Sequence, residues 1–306
     1  MKVELRARLF ADRTSQFWLL GFLQRALDDR LFLSVRSPNA DAYKAWLAQL
    51  PRAVRDAWET VLTTTTRYEA VARLKMVAVD AIAESDWGRL CLSPGDAMTL
   101  VDAPFRLMVE NARFDRAFFL ACLTAEERAL IERLERKDRL FFYGGGGIGE
   151  LRQLVVEQVA QKPHRSLTHM ILFDSDAGAP GEVSEAAVSL SGDCTSLGLR
   201  FHCLKRRAIE NYLPKGALYD FLSGLSPKQR AKRRRRVEAF LRMSDAQRHH
   251  FRMKTGWAKQ MTVAEQALYN GLDNDIVEAL SAGVSGKLSE VYRLADAERL
   301  RNQLLS

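Results

Sequence analysis

The sequence predicts an α/β protein in which a Rossmann-type parallel sheet is flanked along the chain by helical regions. Three observations carry this. From about residue 103 short β-prone runs alternate with helical patterns, the signature of parallel strands joined by crossover helices. Before that point apolar residues recur at helical spacing, and beyond residue 215 the chain is again helical and strongly basic. The predicted organisation is a helical N-terminal region over 1–102, an α/β domain over 103–215 and a basic helical region over 216–306.

In SQFWLLGFLQRALDD the residues Phe17, Leu20, Leu23 and Leu27 fall three and four apart, with Ser15 placed to cap the helix they define. Further helices are predicted over DAYKAWLAQL, PRAVRDAWETVL, with Pro51 in a first turn, and YEAVARLKMVAVDAIAE. Thr63 to Thr66 reads as an inter-helix segment, and the aromatic residues of this region read as core. The four predicted strands are FRLMV (105–109), RLFFY (139–143), HMILF (169–173) and LRFHCL (199–204). Helices are expected from about Asp115 to Arg136, over ELRQLVVEQVAQ, and briefly after the Pro-Gly turn at 180 and 181. The C-terminal part runs through KQRAKRRRRVEAFLRM to a charged helix over SGKLSEVYRLADAERLRNQLL.

Composition narrows the class. Hydrophobic residues make up 47% and charged residues 27%, which excludes disorder and fibrous repeats. No apolar stretch reaches the roughly 18 residues that span a bilayer, and MKVELRARLF lacks the pattern of a secretory signal, so a cytoplasmic, membrane-free protein is expected. Cys91, Cys122, Cys194 and Cys203 form no CxxC pair, which argues against a zinc ribbon or a disulfide framework. The formal charge of +8 is unevenly placed: residues 205–260 hold sixteen Lys or Arg against Glu210, Asp220, Glu238 and Asp245, so the rest of the chain is mildly acidic. One basic segment on an otherwise acidic chain is the footprint of a polyanion binder, and a nucleic acid is the expected partner.

Acidic residues stand directly after two strands, at the edge where open α/β sheets bind ligands. Glu110 follows the first, and Asp174 and Asp176 follow the third. A lone DxD equally caps a turn. With Glu110 on an adjacent parallel strand, however, three carboxylates would gather, and like charges so close call for a cation. Mg²⁺ or Mn²⁺ suits such a set, and Glu210, beyond the fourth strand, is a further candidate ligand. Lys205, Arg206 and Arg207 lie on the same edge, placed to hold phosphates. The run Lys228, Arg230, Lys232, Arg233, Arg234, Arg235 and Arg236 is too dense for an ordinary solvated face and suits the nucleic-acid backbone, with nuclear localisation as the alternative. Lys254 is a candidate catalytic cation. His249 and His250 lack ligand spacing.

The glycines Gly144, Gly146 and Gly149 formally satisfy GxGxxG, with Asp174 25 residues further on. Against a dinucleotide site, the strand carrying Glu110 would be superfluous. Consecutive glycines also let a backbone pass close to a site with no Cβ in the way. GVSGKLS at 283–289 is not a Walker motif, because Lys287 is not followed by a hydroxyl residue, so no ATP hydrolysis is expected.

Taken together, LMVENARFDRAFF, FFYGGGGIGEL, ILFDSDAGAPG and LKRRAIENYL resemble a Toprim domain, in particular the nucleases of the overcoming-lysogenization-defect (OLD) family and related bacterial defence proteins. The resemblance covers about residues 103–214, roughly a third of the chain, and rests on order and spacing. It implies that Glu110 is the family's glutamate after the first strand, that Asp174 and Asp176 are its DxD, and that Glu210 is its later acidic position. It also implies Asp115 as a metal-binding aspartate and Lys254 as the downstream lysine. Asn111 stands where many members have glycine, and Asp115 lies one residue beyond the commonest spacing, which leaves its role open. Topoisomerases and primases with this domain need a tyrosine domain or zinc motifs that the sequence lacks. Many OLD-like nucleases work with an ATPase, which here would be a partner protein.

The expected function is therefore a Mg²⁺- or Mn²⁺-dependent nuclease acting on DNA, with RNA as the lesser candidate, in anti-phage defence. Glu110, Asp174, Asp176 and Glu210 would bind one metal, or two about 4 Å apart, to activate water and stabilise the leaving oxygen. Lys254, or Lys205 with Arg206 and Arg207, would neutralise the scissile phosphate. The alternative is a non-catalytic nucleic-acid-binding or regulatory subunit. Oligomeric state is left open by the sequence.

Overall fold

In the computed structural model the chain is described over residues 1–70, 74–159 and 162–253. It divides into two compact units, Met1–Ala103 and the part from Pro104 onward, each an α/β layer structure around a four-stranded, all-parallel sheet. Among the described residues no helix is long and apolar enough to cross a membrane.

The first unit corrects the expectation of an all-helical N-terminal region. It comprises β1 (Lys2–Leu5), α1 (Arg8–Ala11), α2 (Gln16–Leu27), β2 (Phe32–Val35), α3 (Asp41–Gln49), α4 (Arg52–Glu69), β3 (Met76–Val79), β4 (Cys91–Leu92) and α5 (Pro94–Asp102). The sheet order is β2-β1-β3-β4. Its strands are short, and MVAV lies within a segment whose apolar spacing also suits a helix. A short apolar run cannot be assigned by periodicity alone. Tertiary packing decides the matter: Val3, Leu5, Leu33, Val77, Val79 and Leu92 are buried between helices. On the helical side Trp46 packs edge-on against Trp58 with ring centres 4.8 Å apart, and Trp58 Nε1 donates to Tyr43 Oη at 3.1 Å. Thr63 to Thr66 lie inside α4 rather than between helices. Buried Thr65 donates its hydroxyl to Val61 O and accepts from Leu33 N at 3.0 Å, tying α4 to β2. Ser15 precedes α2 as expected, but its hydroxyl donates to Asp12, which itself caps the turn before the helix.

The second unit contains β5 (Phe105–Val109), α6 (Ala112–Ala121), α7 (Ala125–Arg136), β6 (Leu140–Gly144), α8 (Ile148–Leu154), α9 (Arg165–Thr168), β7 (His169–Phe173), α10 (Glu185–Ser196), β8 (Arg200–Cys203), α11 (Lys215–Ser223), α12 (Pro227–Arg242) and α13 (Asp245–His250). All four strands lie where the sequence places them, within a residue at either end. The helix expected from Asp115 to Arg136 is broken at Thr124, which starts α7 with a reciprocal capping box to Glu127.

The sheet order is β6-β5-β7-β8, and both faces are covered, as is usual for a parallel sheet. Leu107 and Val109 face one core with Phe118, Phe119, Met170 and Leu172. Met108 faces the other with Ile171, Phe173, Leu151 and Leu190. The first of these cores also takes in Leu218, Val237, Phe240 and Phe251. The described part of the basic region is therefore built onto the sheet and belongs to the unit that starts at Pro104.

Candidate metal and phosphate site

With the order β6-β5-β7-β8, the strand sequence reverses direction between β5 and β7. An open parallel sheet forms its ligand crevice at such a point, beyond the carboxyl ends of the strands. Glu110 and Asp174 are the first residues past these two strands. They meet directly: the Asp174 backbone N–H donates to Glu110 Oε1 at 2.9 Å. Asn111 then caps α6, its carbonyl oxygen accepting from the N–H groups of Arg113 and Phe114. This cap turns the chain so that buried Asp115 reaches back and accepts the Asn111 N–H at 2.8 Å.

The glycine run crosses this edge on the β6 side. Gly145 N–H donates to Val109 O and Gly146 N–H to Glu110 O, at 2.9 and 3.1 Å. A Cβ on Gly145 would lie 2.8 Å from the Leu151 backbone, and Gly146 has a positive φ of 75°. The loop thus serves close passage along β5. Its amides are engaged with carbonyls instead of facing a pyrophosphate, and Gly149 has open space where a dinucleotide fold packs helix on strand. The geometry argues against dinucleotide binding.

The DxD segment does not stay extended. Asp176 adopts a left-handed conformation with φ 49°, and its N–H donates to Arg207 O at 2.9 Å. Asp174 is consequently half-buried while Asp176 is exposed, with Arg207 Nη2 3.2 Å from its carboxylate. Both still line one cleft of about 310 Å³, together with Arg207, Glu210 and Arg252. Glu210 sits buried in a 3-10 turn, Ile209–Tyr212. Its neighbour Asn211 accepts from Ala208 N–H and donates to Arg248 O and Phe251 O, fastening the far wall of the cleft to that turn.

Five carboxylates crowd this edge, and two of them are shifted by it. Burial pushes Asp174 well above the usual carboxylate range, and the charges of Glu110, Glu210, Asp115 and Asp176 push it further. Asp115 is raised to about 7, again by burial first, with Glu110 and Glu210 adding to it and the Asn111 amide opposing. Asp174, Asp176 and Glu210 therefore share the cleft, whereas Glu110 and Asp115 stand outside its lining. Among the described residues no three His, Cys, Asp or Glu side chains are already gathered as a metal cage. The oxygen-rich, net-negative donor set nonetheless fits a hard divalent cation.

The basic candidates divide more sharply than their density suggests. Arg206 is a clamp: Nη1 donates to Asn211 O at 2.7 Å, and its guanidinium lies 4.6 Å from the centre of the Tyr212 ring. Arg207 lines the cleft but also donates to Ala177 O at 3.0 Å. Lys205 is exposed. In α12, Arg230 donates to the carbonyls of Leu222, Ser223 and Leu225, closing the end of α11. Arg233 lies over the Phe221 ring, Arg234 pairs with Glu238 at 2.8 Å, and Arg236 is buried. Buried Arg236 and half-buried Arg233 correct the expectation that the whole run faces outward, while Arg230 and Arg234 remain exposed beside their contacts. Lys228, Lys232 and Arg235 are exposed and, at spacings of four and three, share one helix face.

His250 is buried, with Nδ1 2.8 Å from Ala246 O. Lys254 lies outside the described residues. Sequence reasoning missed two residues of the site, Arg252 in its lining and Asn211 as its fastening. Asn211 stands in LKRRAIENYL directly after Glu210, and Arg252 lies between His250 and Lys254 in the sequence. Comparisons with known protein families, curated proteins and solved structures find no match for the chain.

Proposed function

We propose that the second unit is a divalent-metal-dependent nuclease that hydrolyses phosphodiester bonds in DNA. The observation that carries this reading is the cleft itself. Asp174, raised by burial and by four neighbouring carboxylates, faces the same space as Asp176, Glu210, Arg207 and Arg252. Three carboxylates and two guanidinium groups in one lining suit a cation and a phosphodiester bound together.

Asp174, Asp176 and Glu210 are the residues that would hold Mg²⁺ or Mn²⁺, with Glu110 in reach of the same edge. When bound, the metal supplies Lewis-acid stabilisation of phosphate oxygens and lowers the pKa of its water. The protein's own groups do the rest. Glu110, by accepting the Asp174 N–H, fixes where the Asp174 carboxylate begins its reach. Asp115 holds the Asn111 amide and so the start of α6. Arg207 and Arg252 offer donors to the phosphate, and the Lys228, Lys232 and Arg235 face would follow the backbone without reading sequence.

A second reading is a nucleic-acid-binding or regulatory subunit without catalysis. It is favoured by the engagement of Glu110 with an amide and of Asp176 with Arg207, and by the lack of a gathered cage among the described residues. A plasmid-cleavage assay in Mg²⁺, Mn²⁺ or EDTA separates the two. Cleavage that needs metal and is lost in Asp174→Asn supports the nuclease. DNA retention with no cleavage under any condition supports the subunit.

A further inference from the structure

The α2 helix carries two apolar stripes, and the first unit uses only one. Leu19, Phe22 and Leu23 are buried in its core. On another face Phe17 is 85% exposed, Leu20 43% and Leu27 49%. Positions 17, 20, 24 and 27 step by three, four and three. That is the narrow seam by which two helices pack side by side, distinct from the broad stripe of a core-facing helix. Its one polar member is Gln24, whose amide lies 3.3 Å from Asp28 Oδ1. A large aromatic ring left in water at the head of such a seam is costly, since exposed apolar area is what association removes.

We propose that α2 is the contact helix of a two-fold dimer of this chain, packed antiparallel against α2 of a second copy. The charges at the two ends of the seam select this occupant. Exposed Arg13 lies one turn before Phe17, and exposed Asp28 and Asp29 follow Leu27. Antiparallel pairing sets Phe17 against Leu27 of the other copy and brings each Arg13 within a helical turn of the opposite Asp28 and Asp29. Parallel pairing would instead bring like charges together. A surface whose two ends complement each other under a two-fold rotation is self-complementary, as an isologous contact requires. The seam is only three turns long and falls short of the roughly 1,200 Å² of a standard interface, so the dimer is concentration-dependent. The inference concerns the first unit and stands apart from the nuclease reading.

Sedimentation velocity of the full chain, from about 1 to about 100 μM, tests it, since a contact of this size belongs in that affinity range. The wild type is expected to move from monomer to dimer. The double variant Leu20→Glu with Leu27→Glu should stay monomeric with an unchanged circular-dichroism melt, because both side chains are exposed. Arg13→Glu alone should raise the dissociation constant several-fold, and adding Asp28→Arg with Asp29→Arg should restore it. A wild type that stays monomeric throughout, or a dimer indifferent to the seam variant, overturns the proposal. A charge swap that fails to restore the dimer overturns the antiparallel arrangement.

Discussion

At the point where strand order reverses, the first sheet ends in Arg6 and Asp80 and the second in Glu110 and Asp174. The two sheets share one order, with the third strand of each beside the first, so these residues occupy corresponding places. In the first unit Arg6 Nη1 stands 3.5 Å from Asp80 Oδ2, and Asp80 Oδ1 accepts the Ala81 N–H, so opposite charges meet. In the second, the Asp174 N–H meets the Glu110 carboxylate, and burial and neighbouring acids force the Asp174 carboxyl upward in pKa. The same backbone device yields a neutralised corner in one unit and an electrostatic deficit in the other. Fold alone therefore does not distinguish the two reversals; the charge placed there does.

The largest expected effect sharpens that contrast. Asp174→Asn should lower metal-dependent cleavage by more than about 100-fold, beyond the loss typical of an outer partner of a metal ligand. It should leave the metal-free melting temperature equal or higher, because a carboxylate crowded by like charges is removed. A variant that cleaves normally would place the chemistry elsewhere.

The next effect is on stability against pH. Asp115, raised from 3.8 to about 7, binds its proton more tightly in the folded state than in the unfolded chain. Its contribution is thus fully present below about pH 4 and is lost as pH rises towards 7. His169, lowered from 6.5 to about 4 chiefly by burial, works the opposite way over pH 4 to 6.5. The diagnostic is therefore the difference between wild type and Asp115→Asn in urea unfolding without metal. That difference should amount to a few kcal/mol at most across this window, and Mg²⁺ should shrink it.

Changing Lys228, Lys232 and Arg235 to Glu should weaken DNA binding and reduce the slope of log affinity against log salt by about 2.7 if each touches a phosphate. Replacing Arg230 and Arg236 with Met should instead lower the melting temperature, with a smaller change in that slope. Titrations at several salt concentrations distinguish the two groups. Smallest of all, Arg6→Met should cost about 1 kcal/mol in stability, since the pair is part-exposed, and leave cleavage unchanged. Lost cleavage in a stably folded Arg6→Met chain would show that the first reversal is not silent.

Much of the second unit was legible because its strands are fully apolar runs that end in an acid. HMILF is buried throughout, and Asp174 follows it. The first sheet was not legible, since four-residue strands such as KVEL and MVAV carry too few residues to separate a period of two from a helical one. Nor does D-S-D announce that Asp176 turns left-handed, because Arg207 supplies the partner from 31 residues away. The density of the basic run was plain. Which arginines it leaves for a ligand depends on Phe221, Glu238 and the last carbonyls of α11, all set by packing.

Asn211 gives the cleft a mechanical property. Both amide hydrogens of one side chain grip the carbonyls of Arg248 and Phe251, while the next residue back is Glu210. A pull on the Glu210 turn is passed through a single carboxamide to the segment that bears Arg252. One carboxamide therefore sets the spacing between an acid and a guanidinium of the same lining, Glu210 on the turn and Arg252 on the segment it holds.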